Sequence, residues 1–189
     1  MKRKPQSAPL MLTGFTLVEL LITILVLSLL LGLAVPAFRS LMQNDQQWVQ
    51  TNNLILSLNA ARSEAIKNDS AAGGQVCTSN NGLTCTATPW NQGWIVLGVD
   101  PANPGNPPKR LQVVGALPAG TTLTEVVNNN LTITFQSNGA LTTAGGVAFR
   151  MCDARGPTFA RYLQVTSMGR VVASPMVGQD LLGAALTCP

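Results

Sequence analysis

Three groups of side chains in this sequence are of types that do chemistry. Glu19 is a lone acid at the head of the apolar run Phe15–Phe38. Four cysteines, Cys77, Cys85, Cys152 and Cys188, are able to pair as disulfides or to hold a soft metal. Arg150, Arg155, Arg161 and Arg170 gather in the C-terminal third, faced there by only Asp153 and Asp180, and form a candidate contact for nucleic-acid phosphates. There is no histidine. That removes Ser-His-Asp and Cys-His nucleophile systems and every His-ligated metal site. No nucleophile-elbow, P-loop or dinucleotide-binding glycine string stands in a suitable place. The cysteines lack the close Cys-x2-Cys pairs of a zinc site. Asp100, Asn103 and Asn106 around Gly105 lack the further carboxylates of a calcium loop and read as a solvated turn. The sequence therefore holds no catalytic constellation, and neither a cofactor nor a metal is expected.

The chain has 189 residues, enough for one folded domain of ordinary size. Hydrophobic residues make up 46% and charged residues only 11%, against roughly 25% charged in an average soluble domain. Such a balance excludes a disordered chain and a charge-rich coiled coil. It fits a membrane segment joined to a polar, weakly charged domain. The formal net charge of +4 includes Lys2, Arg3 and Lys4 at the N-terminus. Without those three, nine basic residues face eight acidic ones, so the charge is weak support for nucleic-acid binding.

Phe15 to Val35 is 21 residues, about 31 Å of helix at 1.5 Å per residue, which matches the hydrocarbon core of a bilayer. The basic residues precede it, so the N-terminus is expected in the cytoplasm and the remainder outside it. From Arg39 to Lys67 there is neither Gly nor Pro. Leu54, Ile55, Leu58, Ala61, Ala65 and Ile66 recur at three- and four-residue steps, with Trp48 and Val49 on a similar face. This predicts one helix whose first part (15–38) is bare apolar surface and whose second part (39–69) is amphipathic. A second layer must cover the amphipathic stripe. Residues 70–189 supply it, as short β-rich runs separated by Gly, Pro and Asn turns. The candidate strands are Gln75–Thr78, Trp94–Val99, Arg110–Val114, Thr121–Val127, Leu131–Phe135, Val147–Cys152, Arg161–Thr166 and Arg170–Ser174. The expected fold class is α+β, one long N-terminal helix packed on an antiparallel β-sheet domain. Trp90 and Trp94 are expected in its core rather than on a binding surface.

The string Gly14-Phe15-Thr16-Leu17-Val18-Glu19, with the apolar run behind it and Pro36 beyond, closely resembles the class III signal of type IV pilins and type II secretion pseudopilins. Further along, the sequence is similar to the GspH/FimT branch of minor pilins and pseudopilins. The similarity lies in Ala60-Ala61-Arg62-Ser63-Glu64-Ala65-Ile66, in Cys77, Trp90 and Gly93-Trp94, in the Asp100 turn, and in Phe135 with Asn138-Gly139. It continues through Cys152-Asp153 with Gly156 to Gly169-Arg170-Val171. The resemblance covers nearly the whole chain and implies a pilin-like fold.

It also implies roles for particular residues. A membrane-embedded prepilin peptidase would cut after Gly14, removing leader 1–14, and Phe15 would become an N-methylated N-terminus. Glu19 would meet the N-terminal amine of a neighbouring subunit and set axial register. The chain would be a peptidase substrate and structural part rather than an enzyme. Its implied partners are other minor pilins, the major pilin and the inner-membrane assembly platform. The implied location is the inner membrane, single-pass, with residues 70–189 as a periplasmic β domain, and then the pilus tip. The implied function is to prime and cap a type IV pilus (adhesion, twitching motility or DNA uptake). The alternatives are a minor pseudopilin of a type II secretion system, or a pilus-associated DNA-binding module. In an exported domain the cysteines are expected as disulfides. Cys77 and Cys85 flank the turn Ser79–Gly82, and pairs 77–85 and 152–188 are favoured over the other two connectivities. Binding to DNA through Arg150, Arg155, Arg161 and Arg170 is expected to be weak at most. DNA-binding members of the branch have a second Arg near the late Gly-Arg turn, whereas this chain continues Val171-Val172.

Overall fold

A computed structural model describes residues 14–68, 73–98 and 108–189. The leader before Gly14, the expected helix end at Asp69–Ser70, and the Val99–Pro107 turn with Asp100, Asn103 and Asn106 lie outside the described residues. The chain divides into two compact units, with the boundary between Asn44 and Asp45. Helix α1 runs from Leu17 to Asn68.

In the first unit every residue from Gly14 to Met42 is exposed, and the most apolar 18-residue window of α1 has a mean hydropathy of 2.7. Two hydroxyls of this stretch are satisfied locally. Thr23 and Ser28 donate to the carbonyls of Leu20 and Leu25, each at 2.8 Å, as an apolar environment requires of hydroxyls. Pro36 lies inside the helix and brings no N–H to the carbonyl four residues earlier, at Gly32.

In the second unit α1 buries the row Gln47, Thr51, Leu54, Leu58, Ala61 and Ala65, with Ser57 beside it. The expected apolar face is thus corrected in part. Ile55 is half-buried, whereas Trp48, Val49 and Ile66 are exposed. The steps of four and three from Gln47 follow the helical period. Trp48 and Val49 stand about 100° and 200° around the axis from that row, and two polar residues, Gln47 and Thr51, occupy the positions they were expected to fill.

Among the described residues eight strands follow, each overlapping its expected run: β1 Gly74–Thr78, β2 Trp94–Gly98, β3 Lys109–Val114, β4 Thr122–Glu125, β5 Thr132–Phe135, β6 Val147–Cys152, β7 Arg161–Val165 and β8 Val171–Ala173. They form two four-stranded antiparallel sheets. The orders are β3-β2-β1-β5 and β4-β6-β7-β8. One core joins the helix to the inward residues of both sheets. Leu54, Leu58, Ala61 and Ala65 meet Val76, Val96, Ile133 and Phe135 from the first sheet and Val147, Phe149, Leu163 and Val165 from the second. Trp90 and Trp94 are buried in this core, 6.4 Å apart between ring centroids. Their indole N–H groups donate to the Asn130 carbonyl (2.8 Å) and to Ser57 Oγ (2.9 Å), so neither polar tip is left unpaired.

Helix and first sheet approach closely because small residues line both sides. A Cβ on Gly74 would collide with the Ala61 carbonyl, and one on Gly73 would lie 2.5 Å from the Ala65 Cβ. Arg62, one position along, donates from Nε to the Gly139 carbonyl (3.0 Å) and from a terminal nitrogen to the Met168 carbonyl (3.3 Å). It ties the turn after β5 to the turn between β7 and β8. Gly169 in the latter turn has φ +74°, and a Cβ there would strike the Gly139 carbonyl. Gly74→Ala is therefore expected to lower the thermal midpoint by roughly 5–10 °C, the effect of overpacking by about 2–3 kcal/mol in a domain of this size. Gly115→Ala, with open space at its Cβ and no left-handed backbone, serves as the control and should leave the midpoint unchanged.

Candidate functional site

Gly14 and Phe15 precede the helix and are exposed. Thr16 caps it: its hydroxyl oxygen accepts the Glu19 backbone N–H at 3.2 Å. Thr at the cap and Glu three positions on is the capping-box arrangement. Glu19 is the acid of the first helical turn, where the unpaired N–H groups and the helix dipole favour negative charge. That placement offsets part of the cost of an acid among apolar neighbours. Thr16 and Glu19 thus have a local role in starting the helix, besides anything a partner does with the carboxylate.

The cysteines form two bridges, Cys77–Cys85 and Cys152–Cys188, with Cα–Cα distances of 5.6 and 6.0 Å. Each holds a non-strand segment against the outer face of one sheet. Cys77 belongs with Ile95 and Leu97 to a small second core on the outer side of the first sheet, and the bridge fastens the Ser79–Thr84 loop to that side. Asn81 Oδ1 accepts the N–H groups of Leu83 and Thr84 and so shapes the loop tip. Cys188 fastens the segment after β8 to β6, where Thr187 Oγ1 accepts from Arg150 at 3.0 Å. Chain separations of 8 and 36 residues correspond to about 2.6 and 3.8 kcal/mol of loop-closure entropy.

The four arginines are not brought together into one surface. Residues opposite one another across an antiparallel pair share a face. Arg161 pairs with Met151 and Arg150 with Tyr162. Arg161 therefore lies on the core side of the second sheet and Arg150 on its outer side, although both are near the same end. Arg155 is bound to Asp153 through its backbone N–H (2.9 Å), its Nε (2.9 Å) and a terminal nitrogen (2.7 Å), and its guanidinium stacks 4.2 Å from the Phe159 ring centre. Arg170 sits in the turn at the far end of β7, where its N–H meets Thr166 Oγ1. Burial first, and then the neighbouring Arg155 guanidinium, push the Arg161 pKa below arginine's ordinary value. Burial also raises the Tyr162 hydroxyl above its ordinary value, with the Asp180 and Glu125 carboxylates adding to it. Among the described residues no group of three metal-ligating side chains gathers.

Glu125 escaped the sequence reading. It is 2% exposed and its carboxylate accepts the backbone N–H groups of Val127 (2.8 Å), Asn128 (3.0 Å), Asn130 (2.7 Å) and Ala148 (3.4 Å). The turn it organises includes Asn129 at φ +53°. It ends β4 two residues earlier than the expected run Thr121–Val127 and sends the chain from the second sheet into the first. An acid followed by three asparagines was the available signal, since such a turn leaves several N–H groups without partners.

Residues 50–169 match the protein family described as Type II transport protein GspH. The chain belongs to the GspH family. The matched segment takes in the end of α1, residues 50–68, and strands β1 to β7. In fold the chain is similar to the type IV minor pilin FimU of Pseudomonas aeruginosa in two crystal forms. The first is 22% identical over 66% of this chain and 89% of that one, with a TM-score of 0.50. The second is 23% identical over 68% and 92%, with a TM-score of 0.48. No curated protein sequence matches the chain. GspH-family membership makes this a structural protein of pilin type, and the exposed apolar part of α1 fits a membrane anchor.

In this GspH-family domain the Glu125 turn yields a direct test. Glu125→Ala leaves four backbone N–H groups without their acceptor, at a cost of about 3–5 kcal/mol. Urea denaturation of the variant should show a midpoint shifted down by more than 1 M, taking a slope of roughly 1–3 kcal/mol/M.

Proposed function

We propose that this chain is a minor type IV pilin that helps prime assembly of the filament and then caps it. The observation that carries the reading is the bare apolar helix headed by a single capped acid. From Gly14 to Met42 no side chain is buried, so lipid or other helices must cover this surface, and Glu19 has no cationic partner within its own chain among the described residues. Prepilin peptidase would cut between Gly14 and Phe15 and free an α-amino group there. In a bundle of such helices the Glu19 carboxylate of one subunit would pair with that amine on the next. A charge left alone in a water-poor bundle is costly, so the pair would select one axial offset among many. The processed chain would stay in the inner membrane with residues 1–14 released on the cytoplasmic side and 70–189 in the periplasm. The assembly platform would draw it, with other minor pilins and then the major pilin, into a filament that carries it to the tip.

A second reading, a minor pseudopilin of a type II secretion system, is favoured by the description of the matched family as a type II transport protein. The same helix chemistry serves both. Deleting the gene separates them: loss of surface pili with secretion intact supports the pilin, and the converse supports the pseudopilin.

Two measurements test the shared part. Intact mass of the protein from cells with the peptidase should correspond to a chain beginning at Phe15 and carrying one methyl group, whereas cells without it should retain residues 1–14. An N-terminus near Ala37 would mean an ordinary signal peptide and refute the reading. Glu19→Ala should leave the melting of the β domain unchanged and the protein in the membrane, while sharply reducing the number of pili in a strain carrying only the variant. Normal piliation in that strain would reject the register role.

A further inference from the structure

We propose that Arg161 and Trp48 form a docking point for a carboxylate-bearing side chain of a neighbouring pilin subunit. The inference rests on the pilin reading above and adds to it a contact made by the folded domain, away from the apolar helix.

Arg161 opens β7 on the core side of the second sheet, and its guanidinium lies over the Trp48 ring, 5.3 Å from the centroid. Trp48 is 53% exposed, so this face is open at its edge. Beside it runs a narrow cleft between α1 and β7, lined by Thr51, Leu54, Met151 and Leu163 among others. Arg161 is only half-exposed and makes no ion pair among the described residues. Its Nε is buried without a hydrogen-bond partner, as is the side-chain nitrogen of Gln47 next to Trp48. Asp153, on the same end of the sheet, already serves Arg155 through both carboxylate oxygens.

A partly buried cation with no counter-ion is a liability to an isolated domain. The tryptophan face returns only part of that cost. A carboxylate from outside would complete the site. The flat guanidinium can keep one face on the indole while its fork takes two oxygens in its own plane. Tryptophan and arginine together are the residues that most often dominate protein interfaces. The observations favour a protein over nucleic acid, because a phosphate track needs several accessible cations side by side. Here Arg155 is neutralised, Arg150 faces the other side of the sheet and Arg170 is at its far end.

The full-length chain in piliated cells is the right material for the test. The photocrosslinker p-benzoylphenylalanine is placed at exposed Val49, leaving Trp48 and Arg161 intact, and in a separate strain at Leu27 in the apolar helix. The Val49 probe is expected to join a pilin-type subunit through a peptide that contains Asp or Glu. Arg161→Gln should cut that yield by at least about tenfold. The same substitution should leave the thermal midpoint of the purified protein unchanged or higher, a result that a purely structural arginine would not give. Arg161→Glu combined with Arg at the crosslinked acid should restore the adduct. Adducts at Val49 only with lipid or nucleic acid, a yield indifferent to Arg161→Gln, or a lowered midpoint would each overturn the docking point. If Leu27 still captures pilin subunits in those cases, the proposed function stands and only the docking point falls. If neither probe captures one, both fall.

Discussion

The contact on which the domain depends is the meeting of α1 with the backbone of β1. Ala61 and Ala65 face Gly73 and Gly74 with no side chain between them. Because the strand comes this near, the helix row from Leu54 to Ala65 reaches the inner residues of both sheets, and a single core suffices for two. The same closeness lets Arg62 extend past Ala61 to carbonyls in two turns, one from each sheet. A larger residue at any of the four positions would push the strand outward, and the arginine would lose its reach with it. The small-residue string at the end of the helix is thus a matter of distance rather than of helix propensity.

Charge is scarce in this protein, and most of it is used inside the fold. Asp153 neutralises Arg155. Glu125 makes no ion pair among the described residues and instead gathers the N–H groups of a turn. Arg62 and Arg110 both end on backbone carbonyls. The arginines that look like a basic cluster along the chain are divided in space between the two faces and the two ends of the second sheet, with Arg155 beside Arg161. Arg161 departs from this pattern, since its guanidinium lies over an aromatic face and its buried Nε has no hydrogen-bond partner among the described residues.

Much of the architecture was legible in the sequence because its signals are local. The apolar run, the Gly-free stretch after it and each of the eight strands are marked by period and by flanking turns. What was not legible depends on pairing between distant segments. The division into two sheets turns on Glu125, whose acceptors for distant N–H groups have no period. The helix face was misplaced around Trp48 and Val49 because hydropathy assigns an indole to the interior, whereas Gln47 and Thr51 are buried there instead. The faces of Arg150 and Arg161 followed only once the register of β6 against β7 was known. At the N-terminus the spacing from Thr16 to Glu19 had been read as part of a processing signal, and the hydrogen bond shows that the same spacing also starts the helix.

The two bridges have a bearing on how the domain is made. They are consecutive along the chain, the first closing before the third cysteine is reached, and neither encloses the other. A chain entering an oxidising compartment from its apolar helix outward would present each cysteine with its correct mate as the next thiol to arrive. An oxidant that joins thiols in their order of appearance therefore generates the native set without reshuffling. In that order the first ring could close before β2 to β8 had entered, since Cys85 precedes all seven. The segment across the outer side of the second sheet would be secured last, because Cys188 follows every strand, so its bond could form only on a chain that already holds all the strands of the domain.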